Sequence, residues 1–94
     1  MYEWDEGKRE ANLKKHGYDF ADADSVYENP NKLTFSEIRC AEPRLQDIAI
    51  VEAFGVILSL VYLVRGYTIR IISFRRASRK ERRAYDNFRA QKQD

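Results

Sequence analysis

The sequence predicts an α+β domain in which a four-stranded antiparallel sheet follows two N-terminal helices and precedes one C-terminal helix. Two observations lead there. Apolar residues recur with helical spacing before Pro30, with strand-like alternation and β-branched enrichment from Leu33 to Phe74, and with helical spacing again after Ser78. Short turn signals at Gly55 and at Arg65-Gly66 divide the strand-like region. With 94 residues and no repeat, low-complexity stretch or linker, residues 1–94 read as a single domain.

The first helix is expected over Trp4 to His16. Asp5 has N-cap chemistry and Glu6 puts a negative charge in the first turn. Lys14, Lys15 and His16 fall in the last turn, where cations suit the helix dipole, and Gly17 can take the left-handed stop. A second short helix fits Phe20 to Tyr27, capped by Asp19, with Phe20, Ala23 and Tyr27 on one face and Asn29-Pro30-Asn31 ending it. Lys32 to Ser36 reads as a short strand. Glu37 to Gln46 is polar and holds Pro43, so it reads as a loop. Asp47 to Phe54 and Val56 to Val64 form a hairpin turning at Gly55, and Arg65-Gly66 leads into the strand Tyr67 to Phe74. The last helix starts at Arg79. Ser78 and Glu81 have capping-box spacing, and Ala84, Tyr85 and Phe88 supply an apolar stripe.

Charge is divided along the chain. From Arg65 to Asp94 there are ten basic and three acidic residues, a net of +7, whereas Met1 to Val64 carries seven basic and twelve acidic residues, a net of −5. The basic end fits a polyanion, and its charges lie on a predicted strand and helix that would hold them in place. The single cysteine, Cys40, excludes an internal disulfide and a cysteine-based zinc site, and fits a reducing cytoplasm. Residues 1–20 are strongly polar and lack the order of a signal peptide. The apolar run from Ile48 to Val64 is seventeen residues long and contains Glu52 and Gly55, so it reads as two strands rather than a membrane span.

Three segments carry a family likeness: YEWDEGKREANLKKHGYDFADA at the start, SEIR in the middle and RIISFRRASRKERRAY near the end. Together they resemble the BrnT family of toxins from type II toxin–antitoxin pairs. The resemblance implies a RelE-like fold and a small endoribonuclease that works without metal or cofactor and arrests translation in the cytoplasm. It also implies a cognate ribbon-helix-helix antitoxin, a heterotetramer with it, and operator DNA bound through it. Val64 and Tyr67 stand where family members usually carry acidic residues, and Cys40 follows Arg39 where many carry histidine. The likeness therefore transfers the basic residues and leaves the general base unassigned.

On that resemblance, Arg65, Arg70, Arg75, Arg76 and His16 form the candidate catalytic set. A nuclease without metal must neutralise the scissile phosphate with side chains, and planar guanidinium groups do this well. In the strand, Ile69 and Ile71 share one face, with Arg70 and Ile72 on the other. His16 is the only histidine, with the side chain best suited to proton transfer near neutral pH. Lys14, Lys15, Tyr67, Arg79, Lys80 and Arg83 are candidate RNA contacts, with Tyr67 able to stack on a base. Each has an ordinary alternative: a solvated sheet face for the arginines, helix closure for His16, a solvated helix face for the lysines, strand packing for Tyr67. A non-catalytic basic module that partners a DNA-binding protein is the competing functional reading. The apolar strand Val56 to Val64 is the expected docking surface for an antitoxin, together with a sheet edge or the acidic N-terminal helices.

Overall fold

In the computed structural model, which describes residues 1–39 and 42–92, the chain forms β1 (Tyr2–Glu3), α1 (Glu6–His16), a 3-10 turn (Phe20–Asp22), α2 (Asp24–Tyr27), β2 (Leu33–Arg39), β3 (Glu42–Val51), β4 (Val56–Arg65), β5 (Thr68–Arg76) and α3 (Arg79–Lys92). The strands make one five-stranded mixed sheet in the order β1-β5-β4-β3-β2. This corrects the expected four-stranded antiparallel sheet. The added strand, β1, pairs in parallel with β5, Tyr2 opposite Ile69 and Glu3 opposite Arg70. Two residues are too few to show a period, so nothing in the sequence marks them as a strand.

The expected second helix is also broken in two. Phe20, Ala23 and Val26 are almost fully buried. Their spacing of three is the period of a 3-10 helix rather than an α-helix. Asp19 caps the 3-10 turn by accepting from Ala21 N–H at 3.0 Å, and Ser25 Oγ donates to the Asp22 carbonyl at 2.6 Å. Local side-chain bonds of this kind compete with a continuous helix.

The expected loop Glu37 to Gln46 is mostly strand, since β2 runs to Arg39 and β3 starts at Glu42. Pro43 is tolerated because β3 is in register with β4 only from Arg44 onward, so no β4 ladder bond is lost there. Cys40 lies outside the described residues. The strand expected to offer a docking surface is instead interior: β4 lies between β3 and β5, with Leu58, Ser59, Leu60, Tyr62 and Leu63 buried. Among the described residues, no helix is long and apolar enough to cross a membrane.

The helix ends follow their caps. Asp5 accepts from Lys8 N–H at 2.9 Å, and Gly17, at φ 82°, donates to the Leu13 carbonyl. In α3 the capping box is complete: Glu81 N–H donates to Ser78 Oγ at 3.2 Å, and Ser78 N–H to Glu81 Oε1 at 2.7 Å.

Register assigns the two faces of the sheet. Leu45, Asp47, Ala49 and Val51 share a face with Tyr62, Leu60, Leu58 and Val56, and with Ile71 and Phe74. This face packs under α2 and the 3-10 turn, with Tyr27 edge-on to Tyr62. Buried within it, the Asp47 carboxylate accepts from Lys32 Nζ at 2.8 Å, Thr34 Oγ1 at 2.7 Å and Tyr62 OH at 2.9 Å. A buried charge is tolerated when it is paired and hydrogen-bonded in this way.

One irregularity sets the other face. Val61 is opposite Ser73 while Tyr62 is opposite Ile71, so Ile72 is an extra residue in β5. Such a bulge shifts the inward–outward alternation by one. Just beyond it, Asn12 of α1 clamps the strand: its Nδ2 donates to the Phe74 carbonyl at 2.7 Å and its Oδ1 accepts from Phe74 N–H at 3.2 Å. The same Nδ2 also donates to the Tyr18 carbonyl at 3.0 Å. The amide takes the place of a neighbouring strand. Replacing Asn12 by Ala would leave both buried Phe74 backbone groups without partners. We expect a loss of about 2–4 kcal/mol of folding stability, read as a lowered urea midpoint with an unchanged slope.

Candidate functional site

The outer face carries Phe35, Glu37, Arg44, Gln46, Ser59, Val61, Leu63, Arg70, Ser73 and Arg75, by the same register. The helix α3 covers one end of it, with Tyr85 buried and Phe88 packed against the core. The other end is open. It holds a cleft of about 500 Å3 lined by Phe35, Arg44, Gln46, Val61, Arg75 and Glu81 among others. Arg70 and Arg75 are five positions apart and would point to opposite faces of a regular strand. The bulge at Ile72 brings them to the same face.

At the cleft floor a network joins sheet to helix. Arg75 donates from Nη1 to Glu81 Oε1 at 2.8 Å and from Nη2 to Glu81 Oε2 at 2.9 Å. Gln46 Nε2 donates to Glu81 Oε2 at 2.6 Å and to Ser59 Oγ at 2.8 Å. The Arg75 guanidinium, with the Ser78 N–H and the Gln46 amide, holds the Glu81 carboxyl down to about 2. Glu81 raises the Arg75 pKa in return. Arg44, in the cleft wall, makes no side-chain hydrogen bond or ion pair with any described residue.

The other sequence candidates are distributed as follows. Arg70 is half-buried and lies 3.7 Å from the Glu3 carboxylate on β1. Arg65 ends β4 on the same face and is exposed. Arg76 is opposite Leu58, so it belongs to the other face and is separated from Arg70 and Arg75 by the sheet. His16 closes α1, and its pKa is lowered first by burial and then by the positive charges of Lys15 and Arg75. His16 is not among the residues that line the cleft. Lys14 and Lys15 are exposed in the last turn of α1, and Arg79, Lys80 and Arg83 are exposed at the start of α3. Tyr67 is 98% exposed in the turn between β4 and β5, which excludes strand packing for it.

Sequence reasoning missed Phe35, Arg44, Gln46 and Glu81 as site residues. The first lay in a strand read without regard to its face, the next two in a stretch taken for a loop, and Glu81 was accounted for as a helix cap. Among the described residues no three His, Cys, Asp or Glu gather as a metal site.

Fold and site together define a class: a small α+β domain with guanidinium groups gathered on one open sheet face. Residues 4–81 match the family described as the ribonuclease toxin BrnT of type II toxin–antitoxin systems, and the chain belongs to that family. A ribonuclease toxin of this type has RNA as its target and an antitoxin as its partner. No curated protein matches the chain.

The Glu81 network makes a pH-dependent contribution to stability. Its folded pKa, about 2, lies below its ordinary value of 4.5. The folded state therefore favours the carboxylate. The stabilisation is complete above the unfolded value and is lost as pH falls from there toward the folded one. We expect the wild type to lose on the order of 2–3 kcal/mol across that window. The Glu81→Gln protein should be less stable at neutral pH and lose correspondingly less, in urea unfolding repeated at several acid pH values.

Proposed function

We propose that this chain is an active, metal-independent endoribonuclease in the cytoplasm. The attacking group is the RNA's own 2′-hydroxyl. A bond forms from its oxygen to the adjacent phosphorus, and the bond from phosphorus to the 5′-oxygen breaks. The products are a 2′,3′-cyclic phosphate and a 5′-hydroxyl, with one proton removed from the 2′-oxygen and one delivered to the leaving oxygen. The observation that carries this reading is the open cleft walled by Arg44 and Arg75. Two guanidinium groups on one sheet face can bind the phosphate and stabilise the charge it gains in the transition state. Arg70 and Arg65 extend the same face toward the β4–β5 turn.

His16 is assigned as the proton carrier. Its lowered pKa keeps it neutral at physiological pH, the form that can accept the 2′-hydroxyl proton. Glu81 is a carboxylate at that pH, but its ion pair with Arg75 makes it a poor base. Lys14, Lys15, Arg79, Lys80 and Arg83 supply the electrostatic track for the RNA backbone on either side. The antitoxin is assigned a ribbon-helix-helix part that dimerises, brings two toxins together and binds operator DNA.

Incubation of the purified chain with total RNA tests the activity. Cleavage should persist with chelator present, and Arg75→Ala should slow it by about 10²–10³-fold. The rate should fall as pH drops through the lowered His16 pKa, and His16→Ala should abolish that dependence along with most of the rate. Full activity in both variants, or loss of all cleavage with chelator, would defeat the assignment.

The partner reading is tested separately. The co-expressed pair should elute as a complex of two toxins and two antitoxins by light scattering. A lone, stable, non-toxic monomer that co-purifies with nothing would count against it.

A further inference from the structure

Phe35 is 45% exposed on β2, an edge strand of the sheet, directly opposite Gln46. It borders two hollows at once. One is the cleft that holds Arg44 and Arg75; the other, of about 320 Å3, is lined by Gln46, Ser78, Lys80, Glu81 and Ala84. The ring is thus a ridge with guanidinium groups on one side and an ammonium group on the other. An exposed aromatic within a wide apolar patch would suit a protein partner. Here the apolar lining beside the ring is Leu45, Val61 and Ala84, and it is interleaved with the charged or amide-bearing groups Glu37, Arg44, Gln46, Arg75, Lys80 and Glu81. An aromatic face between cationic groups has the chemistry of a single-stranded nucleic acid site, where bases stack and flanking phosphates meet cations.

We propose that Phe35 is the base-stacking platform of this site: an unpaired nucleobase of single-stranded RNA lies on its ring, with one flanking phosphate at Arg44 and Arg75 and the other toward Lys80. The inference rests on the ribonuclease reading and adds to it a structural selectivity. A base must leave its helix to stack on a protein ring, so duplex RNA is excluded from the platform.

The test is binding of a short fluorescein-labelled 2′-O-methyl oligoribonucleotide, which lacks the attacking hydroxyl and stays intact. Phe35→Ala and Phe35→Leu should weaken its binding about 10- to 100-fold, while Phe35→Trp keeps wild-type affinity. The leucine variant retains apolar bulk without a π face, so it separates stacking from packing, and thermal melting of each variant confirms the fold. A hairpin duplex of the same modified chemistry should bind all four proteins alike. Unchanged single-strand binding in the alanine and leucine variants would overturn the proposal, as would equal losses on both probes. So would loss of antitoxin binding with RNA binding intact, which would mark Phe35 as a protein contact. If wild type cuts RNA while these variants bind normally, only the stacking role fails. If wild type neither binds nor cuts RNA, the ribonuclease reading fails with it.

Discussion

The bond between Asn12 and the backbone of Phe74 is the constraint on which the site depends. Ile72 is an extra residue in β5, and a bulge on a strand near the edge of a sheet needs something to fix the segment beyond it. β1 is registered only with Ile69 and Arg70, before the bulge. Past it, the Asn12 side chain supplies both the donor and the acceptor that a neighbouring strand would offer. Phe74 then enters the core with Ile69 and Ile71, and Arg75 comes out on the face of Arg70. The same contact ties α1 to β5, which brings His16 at its C-terminal end within electrostatic reach of Arg75. One buried amide thus couples the fold to the placement of two guanidinium groups and one imidazole.

Glu81 links the other side of the site. Its carboxylate caps α3 through the Ser78 N–H, holds the Arg75 fork and accepts from Gln46. The helix cannot shift without releasing the arginine, and the arginine cannot leave without weakening the cap. This fixes the geometry of the cleft and sets a cost on using Arg75: an entering phosphate must replace a carboxylate that already fits. A bidentate guanidinium keeps further donors, and Arg75 Nη1 also reaches the Arg76 carbonyl at 3.1 Å.

What could be read from the sequence was local. Asp5, Gly17, Ser78 and Glu81 end their helices as expected, because capping depends on residues a few positions apart. The turns at Gly55 and Gly66 have the positive φ that glycine permits, 69° and 60°. What escaped was non-local. The run YTIRIISF carries no mark of an extra residue, because a bulge is defined by the partner strand. Pro43 argued against a strand, yet the strand opposite decides whether a missing N–H matters. Once that stretch was taken for a loop, Arg44 and Gln46 lost the face that makes them site residues. Asp47 was taken only as the first residue of a strand, although it is fully buried, because its partners come from two other segments, Lys32 and Thr34 around the start of β2 and Tyr62 on β4.

The charge split along the chain has a structural counterpart at the site. Arg70 is near Glu3, and Arg75 is held by Glu81, so two of the arginines on the open face already have carboxylate neighbours. Glu3 and Glu81 come from opposite ends of the chain, on β1 and α3. Their presence reduces the field that a bare arginine cluster would project and limits indiscriminate attraction of polyanions. Arg44, at the cleft wall, has no carboxylate partner among the described residues. Under the proposed function, an RNA phosphate would meet Arg44 unpaired and would engage Arg75 only by exchange with Glu81. Such an exchange keeps the Arg75 guanidinium paired but leaves the Glu81 carboxylate with only the Ser78 N–H and the Gln46 amide, so it carries a cost.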